Sequence, residues 1–129
     1  MLKSNAFDYI NVLDRAADAS WTRNELISNN IANVDTPGYK RQDVSFEDEL
    51  RNALTYNDYT SMDEKVGNLK SNDIEIRTYT DYSGYSYRLD GNNVDIDTEN
   101  AMLAKNQLKY EGLLNSISQE FTNLQAVMK

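Results

Sequence analysis

The sequence segment that most resembles a metal site is a group of five oxygen-bearing side chains. They are Asp90, Asn92, Asp95, Asp97 and Glu99. A helix–loop–helix calcium loop needs oxygen side chains at its first, third and fifth positions, glycine at the sixth and glutamate at the twelfth. Counting from Asp90 places Val94 at the fifth position and Ala101 at the twelfth. The spacing therefore favours a turn followed by a capped helix start, with a weak non-standard site as the minor alternative, and predicts no metal or other cofactor.

The run Glu47-Asp48-Glu49 could supply paired carboxylates for glycoside hydrolysis. No other feature of the sequence indicates a cleft, so an acidic outer face is the better interpretation. The chain also contains no histidine and no cysteine. It therefore lacks the commonest acid–base group near neutral pH, a cysteine nucleophile, a thiolate zinc site and disulfides. We expect a non-enzymatic protein with no small-molecule substrate.

Aromatic residues offer a second kind of chemistry. Four tyrosines could stack on bases or sugars: Tyr79, Tyr82, Tyr85 and Tyr87. Acidic neighbours disfavour nucleic acid, because phosphates require basic partners. Strand packing or subunit contact explains the tyrosines, while Trp21 fits either a core position or an anchor between subunits.

The net charge of −8 is concentrated in the middle of the chain. Residues 35–97 hold seven basic and fourteen acidic side chains, whereas both ends are nearly neutral. Neutral ends suit close helix packing, and an acidic middle suits a hydrated outer face. The sequence has no apolar run long enough to span a bilayer. Its beginning, MLKSNAFDYINVL, has an acid in the apolar stretch and no small-residue cleavage site, so we expect no cleaved secretion signal.

Two heptad stripes, one near each end, must position these groups. A seven-residue apolar repeat places one seam on one side of a helix, and that seam requires a partner. The N-terminal stripe comprises Ile10, Leu13, Ala17, Ser20, Asn24, Ile27, Ile31 and Val34. The C-terminal stripe comprises Leu103, Gln107, Tyr110, Leu114, Ile117, Phe121, Leu124 and Met128. We predict a mainly α protein with a small β insertion, in which long N- and C-terminal helices pair as a coiled coil around a small, partly β or irregular middle region.

The N-terminal helix is predicted from residue 5 to about residue 33, with Ser4 or Asn5 as its cap. Pro37, the single proline, ends it, because proline lacks an N–H and disfavours helical geometry in the residue before it. Pro37-Gly38 fits the two central positions of a type II turn.

The middle region is predicted to contain a short helix that starts after Ser45, a loop from Thr55 to Asp73, and short strands. The strand patterns are Ile74/Ile76/Thr78/Thr80, Tyr85/Tyr87/Leu89 and Val94/Ile96. The last helix is predicted to begin near Asp97 or Thr98, with Asp97 as a good cap. The predicted divisions are an N-terminal helical arm over 1–36, a middle region with a small β hairpin over 37–97, and a C-terminal helical arm over 98–129.

The segment Ser28-Asn29-Asn30-Ile31-Ala32-Asn33-Val34-Asp35-Thr36-Pro37-Gly38-Tyr39-Lys40 resembles the N-terminal signature of bacterial flagellar rod and hook proteins. In that family an Asn-Ile-Ala-Asn helix end runs into Thr-Pro-Gly-Tyr-Lys, and every one of those positions is present here. The segment from Asp90 to Asp97 that leads into the last helix, and the absence of a large inserted domain, favour a subunit of the proximal rod. The resemblance covers roughly residues 1–55 and 85–129.

The resemblance implies a structural subunit of the flagellar basal body, on the periplasmic side of the cell envelope. It implies export through the flagellar type III apparatus and assembly with itself, other rod subunits and membrane-ring or rod-junction proteins. The expected assembly motif comprises Asn30, Asn33, Thr36, Pro37, Gly38 and Tyr39. The expected helix seam comprises Ile27, Ile31, Tyr110, Leu114, Ile117, Phe121 and Leu124. The alternatives are a cytoplasmic coiled-coil adaptor or export chaperone, and another rod subunit of the same family.

Overall fold

A computed structural model of the chain describes residues 6–55, 61–67, 69, 74–82 and 89–128. The elements follow the order α1 (Ala6–Ala32), β1 (Gln42–Val44), α2 (Phe46–Thr55), α3 (Met62–Gly67), β2 (Thr78–Thr80) and α4 (Ile96–Met128). The mainly α fold with a small sheet between two long terminal helices is confirmed.

The two long helices α1 and α4 pack against each other in opposite directions. Near one end of the pair, Asn30 Nδ2 donates to Glu99 Oε2 at 3.2 Å. Further along, Asn106 Nδ2 donates to the carbonyl of Ser20 at 2.7 Å. The heptad stripe of α1 buries small or branched side chains, namely Ile10, Ala17, Ser20 and Ile27. Small residues let the two helix backbones approach, and the heptad spacing keeps these positions on one side.

The middle region covers the opposite part of α1. Strands β1 and β2 pair antiparallel, with Asp43 opposite Tyr79. A small hydrophobic core forms where α1, the sheet and α2 meet, and its buried members are Ala19, Val44, Phe46 and Ile74. Ser45 precedes α2 as predicted, and its carbonyl accepts the Glu49 backbone N–H at 3.2 Å.

Several local predictions for the middle region are wrong. The predicted loop from Thr55 to Asp73 contains α3. Of the first predicted strand, only Thr78–Thr80 is a strand, because Ile74 and Ile76 pack into the core without a ladder partner. Strand β1 was not predicted, and it pairs with β2, which is distant in sequence. The predicted small hairpin falls largely on residues outside the described part of the chain.

The start of α4 also differs from the prediction. Ile96 begins the helix and Val94 lies in no strand. Asp95, and not Asp97, is the cap, because Asp95 Oδ1 accepts the backbone N–H of Asp97 at 3.0 Å. Leu89 lies in an exposed turn. The predicted caps Ser4 and Asn5 and the strand residues Tyr85 and Tyr87 lie outside the described residues.

The distal half of α4, from Leu113 onward, packs loosely in the single chain. Its large apolar side chains are exposed to differing degrees, and the most exposed are Leu114, Phe121, Val127 and Met128. Among the described helices, none is long and apolar enough to cross a membrane.

Candidate functional site

The turn after α1 has the geometry that its sequence predicts. The Tyr39 backbone N–H donates to the carbonyl of Thr36 at 3.3 Å, which closes a four-residue turn around Pro37 and Gly38. Gly38 has φ of +72°, the left-handed conformation required at the third position of a type II turn. Proline sets the conformation at the second position, and glycine removes the steric cost at the third.

Asn33 joins the end of α1 to this turn. Its Nδ2 donates back to the carbonyl of Asn29 at 2.8 Å, while its Oδ1 accepts the Thr36 hydroxyl at 3.0 Å. Its backbone carbonyl also accepts the Thr36 N–H at 3.0 Å. Carbonyls at a helix C-terminus lack partners within the helix, so these side-chain bonds fix where the chain leaves α1.

Asn92 holds the turn from the other end of the chain. Its buried Nδ2 lies 2.9 Å from the carbonyl oxygen of Asn33, 3.1 Å from that of Val34 and 2.8 Å from that of Thr36. Its Oδ1 accepts the Val94 backbone N–H at 2.8 Å. Sequence reasoning assigned this segment only to a turn before the last helix and missed its contact with the first helix. The sequence feature that could have indicated this contact is the asparagine pair Asn92-Asn93 shortly before α4.

Two glycines with positive φ, Gly38 and Gly91, lie next to each other where the two turns meet. The Gly38 N–H donates to the carbonyl of Asp90 at 2.7 Å, and Gly91 has φ of +77°. A Cβ added to Gly91 would lie 3.9 Å from Gly38 Cα and 3.8 Å from Lys40 Nζ. The Lys40 ammonium donates to the Gly91 carbonyl. The turn at 36–39 and the turn at 90–93 therefore form one backbone unit, which we call the turn clamp.

Asn30 fastens the turn clamp to the helices. This fully buried amide donates to the carbonyl of Gln42 at 2.9 Å and to Glu99, and its Oδ1 accepts the Gln42 N–H at 2.9 Å. The Tyr39 hydroxyl donates to the same oxygen at 3.2 Å. Burial, followed by the nearby Glu99 carboxylate, raises the pKa of Tyr39. Asn30 therefore bridges α1, β1 and α4 with its polar atoms satisfied, as a buried amide requires.

Ion pairs surround this junction. Arg41 Nε donates to Glu99 Oε1 at 2.6 Å, and Arg41 also pairs with Asp81 at 3.0 Å. Arg23 on α1 donates to Asp43 at 2.9 Å. These charges connect α1, β1 and α4 in a partly buried network.

The predicted seam residues occupy different environments. Ile27 is buried and Ile31 is half-buried. On α4, the half-buried members are Tyr110, Ile117 and Leu124, while Leu114 and Phe121 are 44% and 48% exposed. The structure thus brings the N-terminal seam and the turn motif together, and leaves much of the α4 seam open.

The arrangement is suited to holding shape. Among the residues that the structure describes, no group of three or more acidic residues is placed to hold a metal ion. The polar side chains of the turn clamp and of the ion-pair network bond to other parts of the same chain. Together these bonds join the ends of α1 and α4 to the middle region.

Comparison with known proteins agrees with this structural role. A sequence profile described as "Flagella basal body rod protein" matches residues 10–40, which include most of α1 and the turn. The chain is 36% identical over 124 residues to the flagellar basal body rod protein FlgB of Borreliella burgdorferi, covering 89% of this chain and 91% of that protein. It is 30% identical to FlgB of Bacillus subtilis, covering 90% and 89%, and 30% identical to FlgB of Escherichia coli K12, covering 83% of each chain. The chain therefore belongs to the FlgB family of flagellar basal body rod proteins, which are structural and not enzymatic.

Proposed function

We propose that this rod subunit polymerises as part of the proximal rod through the combined surface of α1 and α4. The exposed stripe on the distal half of α4 is the observation that supports this. Leu114 and Phe121 follow the heptad spacing of the helix but remain about half exposed in the single chain. A large apolar stripe at the spacing of a helix seam indicates a partner helix.

The stripe continues from a part of α4 that already has a partner. Toward its N-terminus, α4 buries Glu99 and Asn106 against α1. Beyond Tyr110, the apolar seam residues of the same helix are more exposed to solvent than Glu99 and Asn106. One helix thus combines an intramolecular contact with a surface available to a neighbouring subunit, and burial of that surface supplies the driving force for assembly.

The turn clamp has an indirect role in this proposal. It fixes the ends of α1 and α4 relative to the acidic middle region, so each subunit presents its helices at the same angle. A repeating lattice requires a constant angle. If the angle varied, each subunit would have to be ordered on assembly, and that ordering costs free energy. Asn30, Asn33, Thr36, Pro37, Gly38 and Tyr39 are the proposed working residues of this function.

The proposed partners are second copies of this chain, other rod subunits, and proteins of the membrane ring or rod junction. The proposed route is the flagellar type III export apparatus, and the proposed destination is the periplasmic side of the basal body. The proposed divisions are the helical arms 1–36 and 98–129 and the middle region 37–97. The family assignment supports the placement of the chain in the flagellar basal body.

The test is the substitution Leu114→Asp in a motile strain. A carboxylate in a helix seam costs the desolvation of a charge, so we expect the variant to remain soluble while rods fail to form and motility is lost. Asn115→Asp is the matched control, because it adds the same charge to the exposed neighbouring position and leaves the seam intact. Purified basal bodies and swimming assays give the readout. Normal rods containing Leu114→Asp would contradict the proposal.

A further inference from the structure

A groove between α1 and α4 holds polar atoms that the chain leaves unsatisfied. Its volume is about 330 Å³, and its lining includes Trp21 and Asn24 from α1 with Asn106, Tyr110 and Glu111 from α4. The groove lies on the helix pair that we propose for assembly, so what it binds depends on that proposal.

Two amide oxygens point to the class of ligand. Within the part of the chain that the structure describes, Oδ1 of Asn24 and Oδ1 of Asn106 are shielded from solvent and receive no hydrogen bond. Rotating the Asn106 amide does not solve this, because its Nδ2 already donates to the Ser20 carbonyl at 2.7 Å. Buried acceptors almost always find a donor, so the groove favours a ligand that donates hydrogen bonds.

The other residues that line the groove indicate which hydrogen-bond donor fits it. Trp21 is 54% exposed, and its ring centroid lies 5.8 Å from that of Tyr110. Glu111 is the charged side chain among the lining residues, and it is acidic. The ligand should therefore donate hydrogen bonds, stack on an aromatic ring and carry a positive charge. A guanidinium group does all three, because it is planar, positively charged and carries five N–H donors. It also stacks on aromatic faces, which an ammonium group does less well.

We propose that this groove receives the Arg51 side chain of a second copy of this chain during assembly. Arg51 is 73% exposed on α2, and its ion pair with Asp48 is long at 3.6 Å and equally exposed, so little is lost when it exchanges partners. Of the other described arginines, three hold closer ion pairs, namely Arg23 at 2.9 Å, Arg41 at 2.6 Å and Arg77 at 2.8 Å, and Arg15 also has an interaction partner.

The first experiment separates a binding role from a structural one. Asn24→Leu removes an oxygen that has no donor in the single chain, so we expect an equal or higher Tm for the dilute protein. The same variant should raise the critical concentration for self-association about tenfold. Arg51→Gln should raise it similarly, and the double variant should be no weaker than either single variant. Asn52→Leu, the same change at an exposed position of α2, is the control and should leave the critical concentration unchanged.

Cross-linking tests proximity directly, since the natural sequence contains no cysteine. Tagged Gln107→Cys protein mixed with untagged Asn52→Cys protein keeps Arg51 and Glu111 in place, and a short bifunctional thiol cross-linker should join the two under assembly conditions. Absence of that cross-link, or normal association of Asn24→Leu or of Arg51→Gln, overturns the arginine site. If Asn24→Leu alone weakens association, another donor occupies the groove and the assignment to Arg51 is wrong. Failure of the assembly proposal is a separate result, namely normal association of Leu114→Asp.

Discussion

Glu99 accepts a hydrogen bond from Arg41 Nε at 2.6 Å although the side chain of Glu99 is only 1% exposed. This contact joins the first turn of α4 to the residue before β1. A buried carboxylate depends on its cation, because desolvation is repaid only by a close partner and further hydrogen bonds. Asn30 supplies one such additional bond to the other carboxylate oxygen.

Arg41→Met is therefore expected to lower the free energy of unfolding by about 3–5 kcal/mol, because it leaves the Glu99 charge buried without its cation. Urea denaturation followed by circular dichroism measures this. Adding Glu99→Gln should recover part of the loss, since the unpaired charge is then removed. Arg77→Met is the control: its ion pair with Glu75 is exposed and screened by solvent, so we expect little change. Equal effects of Arg41→Met and Arg77→Met would contradict the role given to burial.

Asn92→Ala should lower the free energy of unfolding by about 1–3 kcal/mol, because the carbonyls of Asn33, Val34 and Thr36, which follow α1, lose the donor of their partly buried hydrogen bonds. Asn92→Asp should cost more, since it places a carboxylate against the same carbonyl oxygens at nearly unchanged volume. Denaturant unfolding measures both variants. Asn52→Ala, at an exposed position of α2, is the control. If Asn92→Asp is as stable as the natural chain, the hydrogen bonds that Asn92 donates do not contribute to stability as described.

The contrast between Gly38 and Asn92 explains how far sequence reasoning reaches. The type II turn was predictable because Pro37 and Gly38 are adjacent and their backbone preferences are local. The bond from Asn92 to Thr36 joins residues 56 positions apart, and no local preference encodes that pairing.

The same limit applies to the sheet and to the charges. The long helices were predictable from periodicity sustained over many residues. Strand β1 has only three residues and gains its identity from pairing with distant β2, so its pattern carried too little signal. Glu99 was recognised as a favourable acid near a helix start, but its burial and its bond to Arg41 depend on tertiary packing.

Gly38→Ala and Gly91→Ala should each destabilise the chain by about 1–2 kcal/mol, because alanine is strained at φ of +72° and +77°. Gly112→Ala tests the reverse case. Gly112 lies within α4 with open space around its missing Cβ, so alanine there should stabilise by about 0.5–1 kcal/mol. Thermal unfolding of the three variants provides the measurement. A stabilising effect at Gly38 would show that the turn clamp tolerates a different backbone conformation.

The Glu47 carboxylate makes the stability of the chain depend on pH. Arg23 donates hydrogen bonds to Glu47, including one of 2.6 Å, and this interaction, assisted by Lys109, lowers the pKa of Glu47 from 4.5 to about 2. A carboxyl whose pKa is lower in the folded state contributes stability above its unfolded pKa and loses that contribution as pH falls through the folded value. We therefore expect the contribution of Glu47 to disappear between about pH 4.5 and pH 2.

Glu47→Gln tests this window. Because the Glu47 side chain is 37% exposed, solvent screening reduces the effect, and it should weaken further at high salt. The variant should be less stable than the natural chain at pH 6, with a gap that narrows as the pH falls toward 2. Urea unfolding at several pH values gives the comparison, and Asp48→Asn, at the exposed neighbouring acid, is the matched control. A gap that stays constant from pH 6 to pH 2 would mean that Glu47 contributes through packing and not through its charge.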